Sequence, residues 1–217
     1  MMGLPHDARV IEVDLPGGPL ALYQPRHPKA LVDAIEVLDA DERLPYWADL
    51  WPAGLALAAA VDAGVVPVLG ARVLELGCGL GVVGLAAARR GAADVVLSDW
   101  DPDARAYAAE AAALGGLTVT TRMVDWRSPP SDLRVDVILG ADVLYERRHA
   151  QAIARTLEAC LAPDGVAWLS DPTRAYATDL ADALPGWRVE ASRIEARGVP
   201  RDHPVIDLYR FSRSASR

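Results

Sequence analysis

The sequence predicts an α/β fold with a doubly wound, mostly parallel sheet, and three observations support this prediction. From residue 72 onwards, short apolar runs typical of strands alternate with longer segments that have apolar residues at helical spacing. The last two strand-like runs, 187–194 and 205–212, have no helix between them, which favours an antiparallel pair at one edge of the sheet. The chain has 217 residues, which suits one α/β domain with a modest N-terminal addition better than two domains.

The N-terminal segment precedes this alternation and has its own elements. Residues 9–25, RVIEVDLPGGPLALYQP, alternate apolar and polar positions on both sides of Pro16-Gly17-Gly18, which predicts a hairpin. Residues 27–39 have apolar residues at helical spacing, and Pro28 suits a first helical turn.

An aromatic stretch at 44–51 follows, and a helix is predicted from Pro52 to about Gly64. We therefore divide the chain into an N-terminal segment of hairpin and helices, residues 1–66, and a core, residues 67–217.

The core elements follow in strict alternation. Apolar runs between turn residues predict five strands, and the segments between them predict the helices that connect parallel neighbours. The strands are predicted at 72–77, 94–99, 118–125, 135–142 and 165–171, and the helices at 82–91, 102–116, 147–161 and 176–184.

Charge and composition limit the classes of function. The formal net charge of −8 argues against a nucleic-acid partner, because such sites need basic residues against phosphates. We see no signal peptide and no membrane span, and Cys78 and Cys160 form neither a CxxC nor a metal-ligand spacing. The four histidines are scattered and are interpreted as surface or turn residues. We therefore expect a cytoplasmic, reduced setting, a monomer and no metal site.

The glycine-rich stretch VLELGCGLGVVG, residues 73–84, lies where the first core strand becomes a helix. Glycines at such a turn let a ligand approach the main chain, at the edge where ligands of open α/β sheets bind. In one interpretation, Gly79, Gly81 and Gly84 form the GxGxxG motif of dinucleotide-binding enzymes, with Asp99 as the ribose-binding acid. This interpretation predicts a nicotinamide- or flavin-dependent oxidoreductase.

The same stretch also contains ExGxGxG, formed by Glu75, Gly77, Gly79 and Gly81. This pattern resembles motif I of class I S-adenosylmethionine-dependent methyltransferases, and we favour it. In that motif the acid lies at the strand tip and reaches the amino-acid end of the cofactor, whereas a dinucleotide fold would bury Glu75 inside the strand. The resemblance implies a Rossmann-like sheet with strand order 3-2-1-4-5-7-6 and an antiparallel strand 7.

Further cofactor contacts are implied by the methyltransferase resemblance. Asp99 would accept hydrogen bonds from the two ribose hydroxyls, and Trp100 would stack on the adenine. Asp125 would accept the adenine amino group, with Trp126 packed beside it. The alternative roles are core packing for the tryptophans and helix caps or turn acids for the aspartates.

Asp142 and Tyr145 form a DxxY sequence after the fourth core strand. This sequence resembles the seven-strand protein lysine methyltransferases of family 16. The stretch PYWADLWPAGLALA, residues 45–58, is similar to the Trp-rich segment of that family, especially in bacterial relatives of the electron-transfer-flavoprotein β-subunit lysine methyltransferases. The likeness covers roughly residues 40–175.

The resemblance implies that S-adenosylmethionine is the cofactor and S-adenosylhomocysteine the product. Asp142 would attract and orient a lysine amine, and the ring and hydroxyl of Tyr145 would help to hold it. Trp47 and Trp51, with Tyr46, would form a lid over cofactor and substrate within residues 1–66. Ala141 would lie beside the cofactor.

The implied substrate is a protein with an accessible lysine, and the electron-transfer-flavoprotein β subunit or a translation protein are the candidates. Three alternatives remain at this stage: a small-molecule N-methyltransferase, a non-catalytic module that binds S-adenosylmethionine, and the oxidoreductase. For the DxxY residues the alternative is structural, with Asp142 capping the next helix and Tyr145 packing on it. Ser170, Asp171 and Pro172, at the end of the fifth strand, are weaker candidates for the mouth of the substrate site.

Overall fold

A seven-stranded sheet lies at the centre of the molecule, in a computed structural model that describes residues 4–33, 44–174, 176–195 and 205–214. A separate two-stranded hairpin precedes it. Numbered along the chain, the strands are β1 Ala8–Leu15, β2 Gly18–Pro25, β3 Arg72–Leu76, β4 Asp94–Ser98, β5 Thr120–Arg122, β6 Val135–Ala141, β7 Leu161–Asp171, β8 Trp187–Glu195 and β9 Val205–Arg213.

The strand order of the large sheet is β5-β4-β3-β6-β7-β9-β8. Strands β3 to β7 pair in parallel, whereas β9 runs antiparallel to both β7 and β8. Numbered from β3, this is the order 3-2-1-4-5-7-6, so the predicted fold and its antiparallel strand are confirmed.

Helices cover both faces of the sheet. They are α1 Pro28–Asp33, α2 Pro52–Asp62, α3 Val82–Arg89, α4 Pro102–Leu114, α5 Arg147–Cys160 and α6 Tyr176–Asp182, with a single 3-10 turn at Tyr46–Ala48. Prolines begin α2 and α4, where a missing N–H costs nothing. The predicted continuation of α1 beyond Asp33 lies outside the described residues.

The side chains of the central strand β3 point alternately into two apolar layers, as expected for a strand that is buried on both faces. Val73 of β3 faces the layer formed with α2, α3 and α4, and Leu74 and Leu76 face the layer formed with α5 and α6. Glu75 therefore shares the face of Val73 and lies on the side of α3.

The hairpin β1–β2 is predicted correctly and packs into the first of these layers. Val13 and Leu22 are buried there together with residues of α2 and α3. Buried Asp62 of α2 pairs with Arg89 of α3 (Nη2–Oδ1 2.7 Å), and Arg89 donates to the carbonyl of Gly18 (3.0 Å). This network ties the hairpin turn to the ends of two helices.

Two strands differ from the prediction by more than one residue. Residues 118–125 were expected to form a strand, but only Thr120–Arg122 form strand pairs. Strand β5 lies at the edge of the sheet, so β4 is its single neighbour within the described residues. Strand β7 begins at Leu161, earlier than the predicted 165, and follows α5 directly.

The register brings the carboxyl ends of the parallel strands level with one another. Leu76 lies opposite Ser98 on one side and Gly140 on the other, and Ala141 lies opposite Ser170. The residues that follow these positions therefore meet at one edge of the sheet.

Candidate functional site

A cavity of about 920 Å³ opens at the carboxyl ends of β3, β4 and β6, the edge where ligands of open α/β sheets bind. Of the residues that the methyltransferase resemblance assigns to the cofactor, the lysine and the DxxY sequence, all except Gly81 contribute to its wall. The predicted residues in the wall are Trp47, Trp51, Glu75, Gly77, Gly79, Asp99, Trp100, Asp125, Trp126, Ala141, Asp142 and Tyr145.

The glycine loop after β3 forms one wall of the cavity. Gly77, Gly79 and Gly81 have positive φ angles of 60°, 51° and 84°, which side chains with a Cβ rarely adopt. A Cβ on Gly79 would lie 3.2 Å from the carbonyl oxygen of Trp47, so the loop passes close beneath the Trp-rich segment. Gly81 is the N-cap of α3 and packs against Ala108 of α4 rather than the cavity.

Glu75 is inside β3, one residue before its end, and is only 2% exposed. The expectation of a carboxylate at the strand tip is therefore corrected. One oxygen, Oε2, accepts the backbone N–H of Gly84 at 2.8 Å, because the side chain faces the first turn of α3. Removal from water raises the pKa of Glu75 to about 8, although hydrogen bonds from Gly84 and Val83 oppose the shift.

Asp99 follows β4 and faces the glycine loop. Its Oδ2 accepts the N–H of Gly79 at 2.9 Å, and its Oδ1 accepts the N–H of Asp101 at 3.0 Å. Burial raises the pKa of Asp99, and the two backbone hydrogen bonds act against this shift. The carboxylate thus holds the loop in place and retains acceptor capacity toward the cavity.

Trp100 and Asp125 lie on the rim, and both contact Arg127. The guanidinium of Arg127 lies 5.0 Å from the ring centre of Trp100. Both oxygens of Asp125 accept hydrogen bonds from the Arg127 side chain (3.0 and 3.2 Å), which lowers the pKa of Asp125. One face of the predicted adenine-stacking ring is therefore covered by a cation.

The Trp-rich segment covers the cavity from the side of α2. The indole of Trp51 donates to the carbonyl of Tyr46 (2.9 Å), and the ring of Tyr46 meets the ring of Tyr145 edge-on with centres 6.2 Å apart. Trp47 is buried, and its Nε1 has no hydrogen-bond partner within the described residues.

Asp142 stands in the loop between β6 and α5 and does not cap that helix. The N-cap residue of α5 is Glu146, and no side chain caps it. Asp142 has a positive φ of 59° and forms an ion pair with Arg174, which follows β7. The interpretation of Asp142 as a helix cap is therefore not observed.

Tyr145 forms an aromatic cluster with His149 on the first turn of α5. Their ring centres lie 4.5 Å apart, and His149 also meets Trp126 edge-on at 5.5 Å. Burial raises the pKa of Tyr145 to about 12 and lowers the pKa of His149. The Nδ1 atom of His149 is 3.2 Å from the carbonyl of Val143, which can only accept, so this nitrogen carries the proton.

The sequence interpretation assigned no role in the site to His149, or to the ion pair of Asp142 with Arg174, and both His149 and Arg174 line the cavity. His149 was interpreted as a surface or turn histidine, and its spacing of four residues from Tyr145 was the available signal. Ser170 and Asp171 were expected near the substrate mouth, but both are buried, and Arg174 lines the cavity in their place. The described residues contain no cluster of ligands suited to a metal ion, and no described helix is long and apolar enough to cross a membrane.

A model of the lysine methyltransferase family matches residues 41–178, which is more than half of the chain. The chain belongs to the lysine methyltransferase family. The resemblance inferred from the DxxY and the Trp-rich segment is thereby confirmed. Since Glu75 is buried inside its strand, the family match and not the position of this acid decides against the dinucleotide interpretation.

Relatives and solved structures extend this comparison. The chain is 35% identical over 140 residues to the electron transfer flavoprotein beta subunit lysine methyltransferase of Danio rerio, and the matched region covers 62% of this chain and 53% of that one. It is 35% identical over 136 residues to the ribosomal protein L11 methyltransferase of Parasynechococcus marenigrum, covering 60% and 47%. The chain thus spans about half the length of the curated relatives it matches.

A 16S rRNA methyltransferase of Thermus thermophilus, solved in complex with AdoMet and guanosine, shares the fold with a TM-score of 0.67 at 21% identity. The match covers 97% of this chain and 52% of that chain, so the shared fold extends over nearly all of its elements.

Proposed function

We propose that this protein is an S-adenosylmethionine-dependent methyltransferase that modifies lysine side chains of a protein. The observation that carries the proposal is the position of Asp142 and Tyr145 in the wall of the cavity that also contains the glycine loop and Asp99. A cofactor on the glycine loop and an amine on Asp142 would then share one cavity. The family match over residues 41–178 includes all of these residues.

The residues of the cavity fit S-adenosylmethionine. Asp99 has acceptor capacity for ribose hydroxyls, because each of its two oxygens accepts only one backbone N–H. The glycine loop lets the cofactor approach the main chain, and Glu75 lines the cavity below it. When bound, the cofactor supplies a methyl group on a sulfonium, which a nitrogen with a free lone pair can accept.

Asp142 and Tyr145 would prepare the lysine for this reaction. An ammonium has no lone pair, and the unperturbed pKa of lysine is about 10.4, so the amine must lose a proton before it reacts. A dry site next to a cationic sulfonium lowers that pKa, and the carboxylate of Asp142 attracts the amine and then orients its N–H bonds. The Tyr145 hydroxyl, with its pKa near 12, stays protonated and acts as a hydrogen-bond donor or ring surface, not as a base.

The first target to test is the electron-transfer-flavoprotein β subunit, because several relatives are named for methylating it. Ribosomal protein L11 is the second, from a relative of similar identity. The docking rim would be formed by residues 45–51, the loop after Tyr145 and the segment after β7. In this proposal residues 1–66 form the lid, residues 67–217 form the core, and the enzyme works in the cytoplasm as a monomer without nucleic acid.

The experiment compares acceptors in the presence of labelled cofactor. The purified protein is incubated with host-protein fractions, each candidate protein, free lysine and nicotinamide, and the label is located by mass spectrometry. We expect label on protein lysines and little on the small molecules. Turnover of a small amine with no labelled protein would decide for the small-molecule alternative, and NAD binding without S-adenosylhomocysteine binding would reject the whole proposal.

A pair of variants separates catalysis from binding. Asp142→Asn keeps the shape of the side chain but removes its charge, so turnover should collapse while S-adenosylhomocysteine still binds. Asp136→Asn is the matched control, because Asp136 lies at the opposite end of the same strand and pairs with Arg72. Equal turnover in both variants would remove Asp142 from the proposed chemistry.

A further inference from the structure

The carboxylate proposed to receive the substrate amine already holds a cation of the protein itself. The guanidinium of Arg174 forms an ion pair with Asp142, and the two side chains are 33% and 11% exposed. Arg174 reaches this position from the neighbouring strand, since it follows β7 whereas Asp142 follows β6. The contact therefore joins the ends of two neighbouring strands.

The backbone holds Arg174 in this position. Thr173, the residue before it, has a positive φ of 67°, a conformation that β-branched residues rarely adopt. The N–H of Arg174 donates to Oδ1 of Asp171 at 2.5 Å, and its Nη1 lies 3.4 Å from Oδ2 of the same carboxylate. The Asp171 side chain is 1% exposed, so this second carboxylate lies beneath the guanidinium rather than on the surface.

We propose that Arg174 occupies the place of the acceptor amine on Asp142 and thereby makes the enzyme select lysines of folded proteins over small free amines. This inference rests on the proposed function. Arginine suits the role because a guanidinium keeps its proton in proteins and so presents no free lone pair to a methyl group. It can hold the site without being modified itself.

The selectivity follows from what each acceptor gains when it displaces Arg174. A small amine that displaces Arg174 gains little binding free energy, because its ion pair with Asp142 resembles the Arg174–Asp142 pair that it breaks. A lysine on a folded protein also buries surface against the rim, and this additional contact can drive Arg174 away. Asp171 can receive the displaced guanidinium, since one of its oxygens already lies near it.

Arg174→Lys tests the position directly, because it places an amine that can lose its proton where the guanidinium lies. In the expected reaction the introduced nitrogen, after losing its proton to solvent, forms a bond to the methyl carbon of S-adenosylmethionine. The carbon–sulfur bond breaks, and its electron pair stays on the sulfur of S-adenosylhomocysteine. We expect methylation at position 174, at a rate per molecule that does not depend on enzyme concentration. Arg147→Lys is the control, because Arg147 pairs with Asp179 outside the cavity and should stay unmodified.

Arg174→Ala tests the selectivity. The small acceptor is the methylamide of N-acetyl-lysine, and the large acceptor is a host protein that accepts labelled methyl groups from the wild-type enzyme. Removing one ion-pair competitor should raise kcat/KM for the small acceptor by about tenfold, with a smaller change for the protein. S-adenosylhomocysteine binding and the thermal midpoint are measured first, to show that both variants are folded.

The outcomes separate this inference from the proposed function. Methylation at position 174, or the gain with the small acceptor, supports the inference. If the wild type methylates protein lysines but neither result is seen, the inference fails and the proposed function stands. Loss of turnover with both acceptors in Arg174→Ala would instead make Arg174 a positioning residue for Asp142 and overturn the inference. A wild type that binds no S-adenosylhomocysteine removes the proposed function itself.

Discussion

Glu75→Gln should make the free energy of unfolding less sensitive to alkaline pH, because Glu75 is a buried acid. Its side chain is 2% exposed and lies between β3 and the first turn of α3. Removal from water raises its pKa from 4.5 to about 8 in the folded protein. Glutamine keeps the shape, and its carbonyl oxygen can still accept the N–H of Gly84, but it carries no ionisable group.

The size of the effect follows from proton binding. Between the unfolded pKa of 4.5 and the folded pKa of about 8, the folded protein holds up to one proton more than the unfolded chain. The free energy of unfolding therefore falls as pH rises, by up to ~1.4 kcal/mol per pH unit and by roughly 5 kcal/mol over the whole window. The contribution of Glu75 is fully present below pH 4.5 and is lost as the pH passes through about 8.

The assay is urea unfolding of wild type and variant, followed by tryptophan fluorescence at several pH values from about 5 to 9. We expect the two proteins to be similar in stability at the acidic end and the variant to be clearly more stable at the alkaline end. Asp136→Asn is the control, because its exposed pair with Arg72 lowers the pKa of Asp136 to about 2, outside this range. Parallel pH curves for wild type and Glu75→Gln would show that the buried carboxylate is ionised throughout, and would refute the reasoning.

Three further variants test the packing and the roles proposed for the cavity. Gly84→Ala would place a Cβ against the side chain of Leu97 and 2.6 Å from Oε2 of Glu75, so we expect urea unfolding to show a loss of about 1–3 kcal/mol. Asp99→Asn should weaken S-adenosylhomocysteine binding by roughly 10- to 100-fold in calorimetry, because hydrogen bonds to a charged acceptor are lost; unchanged affinity would place the ribose elsewhere. Tyr145→Phe keeps the ring contacts with Tyr46 and His149 and should reduce kcat/KM far less than Tyr145→Ala; equal losses would show that the hydroxyl, not the ring, matters.

The sheet could be predicted because its signals are local. Each buried strand is a short apolar run, each connecting helix has its own periodicity, and the right-handed crossover rule leaves few ways to join them. The edge strand β5 was overestimated, because only three of the eight predicted residues find a partner on β4. A residue pattern cannot tell how far a neighbouring strand extends.

The candidate site was harder to predict from the sequence where it depends on contacts between residues that are distant along the chain. The positions after the strand ends could be listed from the alternation alone, and this placed Asp99 and Asp142 in the cavity wall. The partner of Asp142 is 32 residues away on another loop, and no periodicity connects the two. Glu75 was placed at the strand tip because the motif does not specify where the strand ends relative to it.

Backbone strain connects the two loops that carry this ion pair. Within the described ranges, the non-glycine residues with positive φ are Asp142 at 59° and Thr173 at 67°. Such conformations cost of order 1–2 kcal/mol each and persist only when the surrounding structure holds them. Both residues lie at the ends of neighbouring parallel strands, where the register of β6 and β7 is fixed by Ala141 opposite Ser170 and by the Asp142 N–H bonded to the Ser170 carbonyl at 2.9 Å. Because the backbone bond to Ser170 holds the β6 turn, the carboxylate of Asp142 would stay in place for an incoming amine when the guanidinium of Arg174 moves away.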